Sequence, residues 1–75
     1  MNNRQATFAL LNNIPVMKRF YSQNLRNVVC RKTGNQPFVG TCLRYLRLWN
    51  TEQVNKKAVC ISKSKSLYQI QGREI

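Results

Sequence analysis

The sequence predicts a small single α+β domain: about two helices followed by a β-hairpin, with loose termini. Three observations carry that expectation. Apolar residues recur at helical spacing in the middle of the chain, two short β-rich runs lie close together near its end, and a cluster of breaker residues precedes the central helix.

The N-terminal element has two readings. Residues Met1–Tyr21 contain no acid, and Arg4, Lys18 and Arg19 are their only charges. Leu10, Leu11, Ile14 and Met17 recur at helical spacing, but Pro15 kinks or restarts any helix there. On one reading residues 1–21 are a targeting segment. The stretch resembles a mitochondrial presequence in being Arg-containing, acid-poor and weakly amphipathic, and Arg19-Phe20-Tyr21-Ser22 resembles a processing site cut before a small residue. That resemblance implies a mitochondrial protein; otherwise the expected compartment is the cytoplasm. On the other reading the segment is an N-terminal helical arm. Pro15 then sits in the first turn of a helix that is capped by Asn12 or Asn13 and runs to about Val29. Its apolar face is Met17, Phe20 or Tyr21, Leu25, and Val28 or Val29. Composition does not switch at Ser22, which favours this second reading. On either reading residues 22–75 form a small basic domain.

Arg31-Lys32-Thr33-Gly34-Asn35-Gln36-Pro37 is the breaker cluster: Gly34 suits the end of one helix and Pro37 the first turn of the next. No glycine-rich strand-to-helix motif accompanies it, so a nucleotide-binding loop is not supported. From Phe38 to Trp49 the residues Val39, Cys42, Leu43, Leu46 and Trp49 fit i, i+3, i+4, i+7, i+10 without a miss, whereas either strand face is interrupted by Arg, Gly or Thr. Helix is the expectation, although Gly40 and Thr41 lower helix propensity and the aromatic content would suit a strand. After a polar link from Asn50 to Lys57 come AVCIS and SLYQIQ, separated by Lys63-Ser64-Lys65, which read as a hairpin with a basic turn. Gly72–Ile75 is a tail.

Seventy-five residues make one domain at most, with a small core. A hydrophobic content of 43 % is nevertheless too high for the composition that enforces disorder. Thirteen Lys and Arg face only Glu52 and Glu74, giving a formal net charge of +11 and a pI near 10.5. Such a chain repels itself until its cations meet phosphates or an acidic surface.

Several function classes are disfavoured by residue type alone. His and Asp are absent, and the two Glu are far apart in sequence, so general acid-base chemistry has no evident apparatus and no enzyme is expected. Cys30 lies beside Arg31 and Lys32, but no His base exists to take its proton. Three widely spaced cysteines argue against a disulfide framework, and with no Cys-x-x-Cys pair they supply no four-ligand zinc set. Buried thiols acting as small hydrophobes are the expectation. No metal or cofactor is expected. No apolar run approaches the length of a membrane span.

The most functional-looking stretch is Leu43-Arg44-Tyr45-Leu46-Arg47-Leu48-Trp49. On a helix Arg44 and Arg47 are i, i+3 neighbours off the apolar stripe, suited to phosphates. Tyr45 and Trp49 are i, i+4 neighbours, suited to stacking on unpaired bases or to anchoring an interface. The only Trp of a small domain more often fills the core. Arg31, Lys32, Lys56, Lys57, Lys63 and Lys65 add phosphate contacts indifferent to base sequence. The expected function is therefore a non-enzymatic basic binding protein that contacts nucleic acid, RNA first, as in a ribosome-like ribonucleoprotein particle. The alternative is a small phage- or plasmid-type effector. It binds an acidic surface of a host protein and inhibits a process such as cell division or transcription, with Tyr45 and Trp49 as anchors.

Overall fold

The computed structural model describes residues 2–72. The expected loose ends at Met1 and at residues 73–75, and with them Glu74, lie outside the described residues. Three helices and one antiparallel sheet make up a small α+β domain. In chain order they are α1 (Asn3–Asn13), β1 (Arg19–Tyr21), α2 (Ser22–Thr33), α3 (Val39–Glu52), β2 (Lys56–Ser62) and β3 (Leu67–Gly72).

Helix α1 begins in a capping box: Asn2 Oδ1 accepts the Gln5 N–H at 2.8 Å, and Gln5 Oε1 accepts the Asn2 N–H at 3.1 Å. Two of the otherwise unpaired N-terminal donors are thereby satisfied. The helix stops before Pro15, because Ile14 is held extended, as the residue before a proline must be. This corrects the expected helix from Pro15 to Val29. The chain instead turns at Met17, whose φ is +78°, and then runs as a short strand. The polar groups of this stretch are met by β3: Met17 N–H donates to Ile70 O, and Ile70 N–H donates to Lys18 O. In β1, Phe20 lies opposite Tyr68, with ring centroids 5.9 Å apart. Phe20, Leu25 and Val29 all reach the core, but from a strand and a helix rather than from one helical face.

Helix α2 opens at Tyr21, whose N–H donates to Asn24 Oδ1, and it buries Ser22, Leu25 and Val29. It ends as the sequence implies. Gly34 takes up a left-handed conformation at φ +73°, and its N–H returns to Cys30 O at 2.9 Å. Pro37 is buried and lies before the cap of α3 rather than within its first turn, since Phe38 is the cap residue. Arg26 Nε–H donates to Pro37 O at 3.0 Å, which pins the turn between α2 and α3.

Helix α3 buries Cys42, Leu46 and Trp49, in agreement with the helical count, and it continues past Trp49 through Asn50, Thr51 and Glu52. The following hairpin has the strand order β1-β3-β2, so β3 is central. Its register places Ala58 opposite Ile70, both buried, and an irregularity falls between Cys60 and Ser62. The core is Ala6, Leu11, Phe20, Leu25, Val29, Cys42, Leu46, Trp49, Ala58 and Ile70, so every element contributes to it. Two polar devices tie the layers together. Trp49 Nε1–H donates to Asn12 Oδ1 at 2.9 Å, joining α3 to the end of α1. The Asn50 amide brackets Ala58, donating to its carbonyl at 2.9 Å and accepting its N–H at 2.7 Å, so that one side chain pairs with β2 as a neighbouring strand would.

Candidate nucleic-acid interface

The solvent face of α3 is set by what the opposite face must bury. With Cys42, Leu46 and Trp49 turned inward, Gly40, Arg44, Arg47 and Thr51 form the outer stripe at intervals close to one helical turn. Both arginines are exposed, and Leu48 is exposed beside them. The hairpin turn presents Lys63 and Lys65, also exposed, on a backbone held by the Ser66 N–H bond to Lys63 O and by a Ser62–Ser64 hydroxyl contact at 3.4 Å.

Electrostatics links the helix to the sheet. Burial pushes the Tyr68 hydroxyl above its ordinary pKa, the nearby Cys60 thiol adds to this, and the Arg47 guanidinium pulls partly back. Arg47 thus bears on the β3 side chain that stacks on Phe20. Among the described residues Glu52 is the only acid, and it pairs with Arg4 at 3.0 Å with both side chains half exposed, a weak surface interaction. Arg44, Arg47, Lys63 and Lys65 therefore have no carboxylate partner among the described residues.

The other predicted residues are dispersed. Lys56 turns inward: its Nζ donates to Asn12 O at 3.3 Å and Ile14 O at 3.4 Å, closing the C-terminal end of α1. Lys57 is exposed, but it alternates with the core-facing Ala58 and so lies on the outer face of the sheet. Arg31 and Lys32 occupy the last turn of α2, where positive charge also favours the helix C-terminus. Trp49 is fully buried and Tyr45 half-buried, so the expected stacking pair is not on the surface as a pair.

Among the described residues the most exposed aromatic ring, ahead of Tyr21 at 48 %, is Phe38, 83 % exposed, at the cap of α3. Sequence reasoning passed over it because it lies one residue outside the helical stripe. Its position immediately after a proline and before the first helical residue is the signal that marks it as a cap.

Of the three cysteines, Cys42 is buried, Cys30 half-buried and Cys60 exposed, so the expectation of buried thiols holds fully only for Cys42. Burial raises the Cys42 thiol, Cys30 adds to that, and Arg26 opposes it. Among the described residues no three His, Cys, Asp or Glu side chains gather where they could hold a metal ion. No described helix is long and apolar enough to cross a membrane. A shallow depression between α1 and the end of α3 holds Arg4, Phe8, Asn12 and Glu52, with the Arg4 guanidinium 5.0 Å from the Phe8 ring centroid. It contains no nucleophile or general base in reach of a bound molecule other than Glu52, which Arg4 engages. Comparison with protein-family models, with curated proteins and with solved structures finds no match.

Proposed function

We propose that this chain is a non-enzymatic nucleic-acid-binding protein that presents α3 to duplex DNA and sets the β2–β3 hairpin on the flanking phosphates. One observation carries this reading: Arg44 and Arg47 share the solvent stripe of α3, beside a sheet whose hairpin turn carries Lys63 and Lys65, and none of the four has a carboxylate partner among the described residues. Helix α2, the turn at residues 34–38 and helix α3 have the layout of a helix-turn-helix, in which the second helix enters the major groove. That likeness is one of element order, an analogy, and the exposed arginines of α3 are what give it weight.

DNA is preferred to RNA on two grounds. The RNA reading rested on the cations, which suit either nucleic acid; what Tyr45 and Trp49 would have added for unpaired bases is reduced, because Trp49 belongs to the core. A helix with an exposed basic face suits the major groove of B-form DNA, about 12 Å wide, whereas the deep, narrow major groove of A-form RNA does not admit one. The effector alternative loses the same anchor. Residues from α1 and β1, including Ala6, Leu11 and Phe20, lie in the core, which supports the full chain rather than a form cut before Ser22 as the working protein.

The test is fluorescence anisotropy with duplex DNA, duplex RNA, single-stranded DNA and single-stranded RNA of matched length. Duplex DNA is expected to bind tightest, with a slope of log K against log salt of about −3.6 if four cations meet phosphates. Equal or stronger binding to either RNA form overturns the DNA assignment. Affinity indifferent to salt overturns nucleic-acid binding altogether.

A further inference from the structure

Phe38 is unfavourable twice over for the isolated fold. Its ring is the most exposed of the seven large exposed apolar side chains among the described residues, at 83 %. It also occupies the N-cap of α3, where Ser, Thr, Asp or Asn would supply a side-chain acceptor, and it makes no capping bond. Yet its backbone is fixed from both sides. The preceding Pro37 is buried with its carbonyl held by Arg26, and the Phe38 carbonyl accepts the N–H groups of Thr41 at 3.0 Å and Cys42 at 3.3 Å. A rigid corner thus projects an aromatic ring into solvent at the leading end of α3. Nothing inside the molecule uses that ring, whereas a partner docking against α3 meets it.

We infer that Phe38 is the apolar base contact of the nucleic-acid surface, packing on thymine C5-methyl groups in the major groove. The inference rests on the DNA reading above. In a helix-turn-helix the N-terminal end of the second helix faces the base edges, and Phe38 sits at that end. The major groove offers one strongly apolar feature, the thymine methyl, and phenylalanine is among the side chains that contact it. Charge selects this occupant over a purely apolar one. The chain carries thirteen Lys and Arg and, among the described residues, the single acid Glu52, so a partner covering Phe38 approaches a strongly basic molecule. DNA offers phosphates and a methyl group within the same groove.

The experiment compares an A·T-rich duplex of about twenty base pairs with the same duplex carrying uracil for thymine. Binding is measured for the intact chain and for Phe38→Ala, Phe38→Ser and Val54→Ala. Val54 is a control: it is 70 % exposed and apolar, but it lies in the link between α3 and β2. The intact chain is expected to bind the uracil duplex about fourfold more weakly per methyl contacted. Phe38→Ala should bind the thymine duplex roughly 5- to 30-fold more weakly than the intact chain, and should no longer distinguish thymine from uracil. Its salt slope should be unchanged, since no phosphate contact is removed. Phe38→Ser should bind as weakly yet melt about 4–8 °C higher, because a polar cap replaces an apolar one.

Equal affinity of Phe38→Ala and the intact chain overturns the inference, and is the result expected if the ring serves a protein surface instead. Undiminished thymine preference in Phe38→Ala, or an equal loss in Val54→Ala, overturns it too. Failure of the intact chain to bind any duplex refutes the DNA reading itself, a distinct result.

Discussion

Removing residues 1–21 is predicted to abolish cooperative folding. The deletion takes α1 and β1 away from a chain that buries Ala6, Leu11 and Phe20 in its core. Losing a buried Leu costs about 2–5 kcal/mol and a buried Phe about 3–5, so Leu11 and Phe20 together amount to roughly 5–10 kcal/mol. A domain of this length has about 4–11 kcal/mol of total stability, so the loss is comparable to everything available. Two further losses act in the same direction: Trp49 Nε1 loses its Asn12 acceptor, and one edge of β3 loses its β1 partner. The assay is thermal melting by far-ultraviolet circular dichroism, read beside the emission of Trp49, the only tryptophan. The truncated chain should show a broad, uncooperative curve and solvent-exposed emission. A sharp transition with the buried emission of the full chain would refute the reasoning, and would restore Ser22 as a natural start of the mature domain.

Arg44→Ala with Arg47→Ala should reduce the magnitude of the salt slope by about two units; raising salt fourfold then weakens the variant roughly 12-fold, against about 150-fold for the intact chain. An unchanged slope would show that neither arginine meets a phosphate. Asn50→Ala leaves the Ala58 N–H and carbonyl without their bracket, a cost of about 2 kcal/mol, seen as a fall in Tm of roughly 8–16 °C. A Tm within a degree or two of the parent would contradict the role given to that amide. The folded-state pKa of Cys42 lies above its ordinary 9.0, so the unfolded chain loses this proton first. Stability conferred by the neutral thiol is whole below pH 9 and declines as pH rises towards the folded value. Denaturant melts at pH 8 and pH 10 should show a smaller decline for Cys42→Ala than for the parent; equal declines would count against it.

The parts of the fold that could be read from the sequence are those whose signal is local and repeated. Helix α3 shows its buried face at five positions, Gly34 marks the end of α2, and two β-rich runs around Lys63-Ser64-Lys65 define the hairpin. What could not be read depends on long-range partners. Strand β1 has three residues, too few for any period, and exists because β3 meets its polar groups. Helix α1 carries a weak apolar stripe, although its Asn-x-x-Gln cap was present to be read. Within the site, Arg44 and Arg47 follow from the α3 stripe. By contrast, Trp49 and Lys56 are assigned by the end of α1 and its cap, where Asn12 accepts from one and the Asn12 and Ile14 carbonyls accept from the other.

The Asn50 bracket bears on how the molecule would meet a ligand. Because the amide of Asn50, a residue in the last turn of α3, holds the start of β2, the hairpin is tied to the helix. The two behave as the jaws of a locked caliper, with arginines on one and lysines on the other. Their relative position is ordered on folding, so a ligand of matching width need not freeze it on arrival. Loss of this one side chain would therefore loosen the hairpin from the helix as well as lower stability.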